Sequence, residues 1–483
     1  MFLKFENKLL DKIYLIDPVR DSEITYRQIL IESVNIAETF RRNDVGQNKV
    51  VLLTLKEASN YIPVLIACWR CRLIPAIYSP NLKEDEYEDI IEEFQFDFIY
   101  SDFKFQSSFL QTRDLRSNEE KQTLSEDQYC LDIDDDNIAL LLFSSGTSGK
   151  QKCIPLSFTN LITNINAFSK RLEITQDNYF LCGSPLWHAH GLYNSFLTAF
   201  FINSTVVYSG PLNMMNATKL LKSVADNGKV VFHITPSMIP TLLMYSRKNE
   251  KTTLPSFFRV ICGTSFLDVS SKSEFENNYN QKILQQYGMT ETLFMTINDD
   301  FSKEKPDSVG QVIEGVHIEI WNGESVQPAG KTGSIRVKSG SCYGSYFSAG
   351  DQSEWFRDGF FYTGDIGYFD DQGCLFITGR EKDLIKKGGF SIASQTITSR
   401  IMEIESIEEA YTIGIKDAAV GEEIYSFFIA EEDLNEGEIK MFLKKHIGAN
   451  LLPKRIFKVS SFPRTATGKI ARPEMEIILN QLL

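Results

Sequence analysis

Ser144-Ser145-Gly146-Thr147-Ser148-Gly149-Lys150-Gln151-Lys152 follows an apolar run over residues 138–143 and precedes a helix-like segment over residues 159–171. Small residues and hydroxyls leave the backbone N–H groups of such a loop open. A helix start behind it would add positive potential, so the stretch is suited to wrap a phosphate. Lys150 and Lys152 add full charge. By composition alone it reads either as an anion-binding loop or as a Ser/Gly-rich surface turn. It is not the common P-loop, because Ser144 stands where that motif needs Gly and Gln151 stands where it needs Ser or Thr.

Three further stretches carry groups of the right kind. In Gln286-Tyr287-Gly288-Met289-Thr290-Glu291-Thr292, Tyr287 can stack on a purine, Thr290 can bind a phosphate and Glu291 can ligate Mg²⁺, which prefers oxygen donors shared with phosphates. A polar turn at a strand end is the competing reading. In Tyr362-Thr363-Gly364-Asp365, the aspartate is suited to accept both hydroxyls of a ribose, although an aspartate beside glycine is also an ordinary turn residue. In Pro463-Arg464-Thr465-Ala466-Thr467-Gly468-Lys469-Ile470, a flexible Thr-Gly step precedes a lysine that a loop could deliver into a cleft. His188 and His190 form an H-x-H pair without an evident third ligand, so a core or loop role is expected and zinc is not. Cys68 and Cys71 form a C-x-x-C in an apolar helical run with no second pair, which points to packing.

The chain that must position these groups has 483 residues, 43% of them hydrophobic, enough for two or three domains with proper cores. Fifty basic against 64 acidic residues give a net charge of −14, which argues against a general nucleic-acid or anionic-membrane binder. No window is long and uncharged enough for a stable membrane insertion. Eight dispersed cysteines and an acid-bearing N-terminus without a cleavable apolar core predict reduced thiols and a cytoplasmic location.

Helical spacing over residues 60–72 followed by a short apolar run at 73–78, then helix-like 84–94 and strand-like 96–100, predict αβ units. The polar segment 112–136 reads as a surface connection before the 138–143 strand. Strand-like runs at 179–183, 205–208, 230–234 and 259–262, with a helix at 192–201, continue the α/β pattern. Ligands of such sheets bind at strand tips. Residues 315–368 alternate in polarity between Gly turns and predict antiparallel structure, barrel-like in character. After Arg380 a compact α+β unit follows. Its stretch from Lys440 to Pro473 holds nine Lys/Arg and no acid, either a solvated basic face or a surface turned towards polyphosphate.

Taken in order, the four stretches resemble the signature motifs of the adenylate-forming superfamily of acyl-CoA synthetases, peptide-synthetase adenylation domains and luciferases. The first matches Thr-Ser-Gly-Thr-Thr-Gly-x-Pro-Lys, with Gln151 where Pro is usual. The second matches Tyr-Gly-x-Thr-Glu. The third is Thr363-Gly364-Asp365, then Gly379-Arg380 and Lys382-Asp383-Leu384-Ile385-Lys386, and the fourth is Pro-x-Thr-x-x-Gly-Lys. The resemblance implies an α/β fold: a large N-terminal domain of α/β subdomains with a small β-barrel-like part, residues 1–380, and a small mobile α+β C-terminal domain, residues 381–483.

The activity it implies is activation of a carboxylic acid by Mg·ATP as acyl-AMP, with release of pyrophosphate, then acyl transfer to a thiol, CoA first of all. An acyl or peptidyl carrier protein is the alternative acceptor, and a non-catalytic nucleotide-binding regulator is the alternative outside enzymes. Carried over residue by residue, Lys469, Thr290, Glu291 and Arg380 are catalytic and Glu291 holds the Mg²⁺. ATP falls to Ser144, Ser145, Gly146, Thr147, Ser148, Gly149, Lys152, Gly263, Thr264, Tyr287, Asp365 and Lys386. His188 and Gly389 face the substrates, and Lys382 is the hinge.

An acidic partner for a substrate ammonium is missing from Pro185–Gly191, so the acid expected is one without an α-amino group, in the setting of fatty acid metabolism. Two departures stand out. Ser394 and Thr396 replace the family's Pro and Glu beyond Gly388-Gly389-Phe390, with Ser394 able to cap the next helix. Gly263-Thr264-Ser265 replaces the usual adenine loop.

Overall fold

Runs of β-branched and apolar residues between Gly, Pro and Asn turns become the strands of two largely parallel sheets. The computed structural model describes residues 2–82, 84–103, 124–132, 136–145, 151–249, 255–299, 301, 304–347, 352, 354–404, 406–432, 434–464 and 470–483. A five-stranded sheet runs in the order Phe98–Ser101, Val50–Thr54, Ile74–Tyr78, Ile138–Ser145, Gln151–Ser157, parallel except for its last, antiparallel pair.

A nine-stranded sheet has six parallel strands at its centre: Ile283–Met289, Arg259–Cys262, Val230–Ile234, Tyr179–Cys182, Thr205–Val207 and Ile13–Asp17. Val230–Ile234 is buried at every position, as expected of a parallel strand covered on both faces. Antiparallel strands flank it: Leu293–Ile297 and Gln311–Val312 on one side, Ser22–Thr25 on the other. Among the described residues no helix is long and apolar enough to cross a membrane.

The first motif does not lead from a strand into a helix. It joins two antiparallel strands, with Ser144 opposite Lys152 and Ser145 opposite Gln151. The chain after the loop continues as Gln151–Ser157, whose last five residues are buried, and the helix begins only at Phe158. Its N-terminus is therefore a strand's length from the loop and already occupied: Ser157 Oγ accepts from Asn160 N–H at 3.1 Å, while Asn160 Oδ1 accepts from Ser157 N–H at 2.9 Å. This reciprocal cap contributes about 1 kcal/mol. The helix Phe158–Leu172 then buries Leu161, Ile165, Phe168 and Leu172 on one face.

The expected helix over 192–201 begins earlier and is uneven. Ala189–Gly191 is α-helical, Leu192–Leu197 is π-helical and Thr198–Phe201 returns to α. Thr198 Oγ1 donates to the Tyr193 carbonyl at 2.7 Å, five residues back, which supports the widened turn. Tyr193 Oη reaches Asn164 Oδ1 at 2.7 Å, and Asn164 Nδ2 bonds the Phe294 carbonyl and Ser341 Oγ, each at 2.8 Å. A satisfied buried network of this kind fixes the helix over the sheet.

The polar segment before Ile138 is not wholly a surface connection. Cys130–Asp132 pairs antiparallel with Phe2–Lys4, Leu131 is buried, and Arg70 donates to the carbonyls of Gln128 and Cys130. The alternating region forms an antiparallel five-stranded sheet, Val316–Trp321, Gly333–Ser339, Phe360–Phe369 and Phe356–Arg357, with Leu375–Arg380 on the other edge of Phe360–Phe369. The last sheet holds Phe390–Ala393, Leu384–Lys387, Gly421–Ala430, Ile407–Asp417 and Arg455–Lys458 around its own core of Ile397, Ile401, Ile424, Phe428 and Leu443.

Candidate active site

The second and third motifs meet, although 78 residues separate them. Tyr287, near the end of Ile283–Met289, donates its hydroxyl to Asp365 Oδ2 at 2.6 Å. Asp365 and Arg380 are opposite one another on neighbouring antiparallel strands, and Arg380 Nε lies 2.8 Å from Asp365 Oδ1. Asp365 is only 3% exposed. Burial pushes the Tyr287 phenol well above its ordinary pKa, and the neighbouring Asp365 charge pushes it the same way, so the phenol remains a donor. A carboxylate held by one phenol and one guanidinium is oriented by both, a suitable acceptor for paired hydroxyls.

A second group lies beside the first. Glu291 is 6% exposed in the turn between Met289 and Leu293, and Tyr346 Oη lies 3.2 Å from its Oε1. Lys152 Nζ lies 3.2 Å from the same phenol oxygen and 3.1 Å from the centre of the Trp355 ring. Burial raises the Glu291 carboxyl and lowers the Lys152 ammonium, and the attraction between them offsets only part of each shift. The charge of Arg380 also reaches Glu291, so the two groups form one electrostatic unit. Glu291 makes no ion pair among the described residues, its cationic neighbours Lys152 and Arg380 acting only from beyond contact, and a buried oxygen donor of this kind fits a hard dication such as Mg²⁺. Thr290 is half-buried in the same turn.

Of the first motif, Ser144 and Lys152 are placed on the hairpin and Ser145 is described by its backbone; Gly146, Thr147, Ser148, Gly149 and Lys150 lie outside the described residues. Lys469 also lies outside them, between Arg464 and Ile470, which form an antiparallel bridge. Gly263 and Thr264 follow the strand Arg259–Cys262, and Thr264 has a φ of +77°. His188 is half-buried at the start of Ala189–Gly191, its ring 6.0 Å from that of Trp187. Lys382 is exposed in the 3₁₀ turn Glu381–Asp383, directly after Arg380.

Lys386 and Gly389 are not brought to this cluster by any hydrogen bond or ion pair among the described residues. Both belong to the hairpin of Leu384–Lys387 and Phe390–Ala393, and both are exposed. Gly388 and Gly389, with φ of +58° and +83°, form its two-residue turn, a conformation in which side chains are strained. Ser394 does not cap the following helix. Ala393, the last strand residue, is the N-cap and Ser394 is the first helical residue, because the strand runs straight into the helix.

Among the described residues, four of the nine bases in the stretch from Lys440 to Pro473 pair with acids outside it. Lys440 and Arg455 pair with Glu436, Arg464 with Glu409, and Arg472 with Glu476 and Asp383. Glu436 and Glu476 stand one helical turn outside the ends of the run, whereas Glu409 and Asp383 come from distant parts of the chain, out of view of a local charge count.

The family model of AMP-binding enzymes matches residues 4–347, and that of the AMP-binding enzyme C-terminal domain matches residues 397–469. The chain belongs to the AMP-binding enzyme family. Within this adenylate-forming family it is similar to 2-succinylbenzoate–CoA ligase of Bacillus subtilis, 24% identical over 94% of this chain and 93% of that enzyme. It is also similar to oxalate–CoA ligase of Arabidopsis thaliana, 29% identical over 70% and 66% of the two chains.

ATP-bound MatB from Rhodopseudomonas palustris shares the fold with a TM-score of 0.87 at 20% identity, over 99% of this chain and 97% of that one. The o-succinylbenzoate CoA synthetase of Bacillus subtilis with its acyl-adenylate does so with 0.85 at 22%, over 99% and 98%. The α/β architecture with a small C-terminal unit is thus that of AMP-binding enzymes. Tyr346 and Trp355, which hold Lys152, were given no role by the sequence reading. Both lie far from the first motif along the chain, and only the fold puts them beside it.

Proposed function

We propose that this AMP-binding enzyme is an AMP-forming acid–CoA ligase. A carboxylate oxygen attacks the α-phosphorus of ATP and pyrophosphate leaves; the CoA thiol then attacks the acyl carbonyl, loses its proton, and AMP leaves. The observation that carries this reading is the convergence of Tyr287 and Arg380 on the buried Asp365 carboxylate, beside the Glu291–Lys152 group, in a chain similar over nearly its whole length to acid–CoA ligases.

In this reading Asp365 accepts the ribose hydroxyls, Tyr287 and Arg380 orient it, and Lys152 supplies charge to the phosphates from the hairpin. Glu291 would hold Mg²⁺, which when bound draws charge from the phosphate oxygens. Lys469 neutralises charge at the attacked phosphate, and Thr290 donates to it. The unit 381–483 turns about Lys382 between the two half-reactions, so that Gly388-Gly389 meets the thiol after pyrophosphate has left. His188 lines the acid site. Eight cysteines, none of them in a disulfide, suit a reducing cytoplasm, where ATP and CoA are supplied.

Pyrophosphate release should depend on ATP, Mg²⁺ and a carboxylic acid without an α-amino group. A screen of amino, fatty, aryl and dicarboxylic acids tests this, followed by competition between CoA and acyl carrier protein for the acyl group. Exclusive response to amino acids, or acyl transfer to carrier protein alone, would overturn the assignment.

A further inference from the structure

Among the described residues, buried polar atoms without partners collect at the strand tips of the nine-stranded sheet. In the parallel register Cys182 lies beside His233, His233 beside Ile261, and Ile261 beside Leu284. Neighbours in register share a face, and the residue two further along returns to it. Gly263 and Gln286, two positions beyond Ile261 and Leu284, therefore continue the face of His233 at the ends where open α/β sheets bind ligands. The side chains agree with this placement, since a Cβ at Gly263 would lie 2.3 Å from Gln286 Nε2.

His190 hangs over the same face. Its Nδ1 is 2.7 Å from Ser184 Oγ, and its ring stands at 86° to that of His233 with centres 6.1 Å apart. Phe180 and Phe294 flank the His233 ring at 6.2 and 5.9 Å. Within this aromatic surround both nitrogens of His233 and Gln286 Oε1 are buried without a hydrogen-bond partner among the described residues. His233 is 1% exposed and Gln286 9%. A neutral imidazole carries one donor and one acceptor whatever its tautomer, and leaving them unmade in an apolar wall is costly. Burial holds His190 down to about 4 and His233 well below its ordinary value, so both rings are neutral donors and acceptors at neutral pH.

We propose that His190, His233 and Gln286 form a polar floor for the acid, and that the acid activated by this enzyme carries an oxygen substituent remote from its reacting carboxyl. The proposal rests on the ligase reading and narrows its substrate class. A hydroxyl would accept from an imidazole N–H and donate to Gln286 Oε1; a keto oxygen would accept only; a second carboxylate would draw a proton onto an imidazole. An alkyl chain would seal these groups off unpaired, the situation in which a site built for hydrogen bonding rejects its apolar analogue most strongly.

The test compares an alkanoic acid with its ω-hydroxy, ω-oxo and dicarboxylic counterparts of equal chain length, by pyrophosphate release and by calorimetric titration onto the full chain without ATP. At least one oxygenated member should exceed the alkanoic acid by about 10²-fold in kcat/KM. His233→Phe, which keeps the ring stacking, and Gln286→Leu on the neighbouring strand should each cut that preference by about tenfold and leave the KM for ATP unchanged. If one variant fails to fold, the other carries the comparison.

Equal use of alkanoic and oxygenated acids, or a preference untouched by both variants, overturns the polar floor while leaving the ligase reading intact. Calorimetric binding of an oxygenated acid that weakens in both variants, with no pyrophosphate released, would support the floor and overturn the ligase reading. Absence of both binding and turnover for every oxygenated acid overturns the proposal.

Discussion

Tyr287 Oη donates to Asp365 Oδ2 across 2.6 Å, joining the end of a parallel strand to the middle of an antiparallel one. The bond aims a carboxylate that Arg380 holds from its other oxygen. Tyr287→Phe should leave the ring in place and free one carboxylate oxygen, a loss of about 1.5–3 kcal/mol for a hydrogen bond to a charged group. The KM for ATP should rise about tenfold or more, and the KM for the acid much less. ATP–pyrophosphate exchange at varied ATP measures this, and an unchanged KM for ATP would remove Asp365 from the nucleotide site.

His188 stands at the start of the short helix Ala189–Gly191 and, in the proposed reading, lines the acid site. His188→Ala should raise the KM for the acid more than the KM for ATP. Zinc bound stoichiometrically to the native protein and lost from this variant would instead make His188 a metal ligand.

Burial holds His190 at about 4, against an ordinary 6.5. Between those values the native state binds fewer protons than the unfolded chain. Stability is therefore complete above about pH 6.5 and is lost as the pH falls towards 4. His190→Asn, which cannot titrate, should flatten this part of the profile. Urea midpoints from about pH 7 to about pH 4.5 decide the matter; parallel profiles would show that the acid loss comes from other groups.

Lys469 and Gly389 should divide the two half-reactions. Lys469→Ala is expected to lose about 10² to 10³ in acid-dependent pyrophosphate release, the usual effect of removing one preorganised donor, yet to turn over prepared acyl-adenylate with CoA. Gly389→Trp should show the reverse. Gly389→Ala is its control, because a Cβ there meets nothing within 4 Å and carries only the strain of φ +83°. Equal damage to both steps in a folded Lys469→Ala protein would end the two-orientation account.

The four ordered motifs were legible in the sequence because nucleotide chemistry demands short runs of particular residues, and the fold gathers Asp365, Arg380, Glu291 and Lys152 from three of them into one cluster. The central strands were legible for a similar reason: a strand buried on both faces, such as Val230–Ile234, must be continuously apolar. Local pattern failed where the outcome depended on distant partners. Gln151–Ser157 became a strand because Ile138–Ser145 lay open to pair with it, which moved the helix start away from the loop.

Ile13–Asp17 joined the large sheet by pairing with Thr205–Val207, a contact no window of sequence contains. Within the charge run at 440–473, Arg464 found its partner in Glu409, 55 residues away along the chain. His233 and Gln286 look like chance polar residues in apolar strands until the parallel register sets them on one face with Gly263 between their strands. Sequence determined which groups could do the chemistry, since that is a property of residue type and short spacing. The tertiary structure decided which of them are buried, paired or left without a partner, because those are properties of the strands lying alongside.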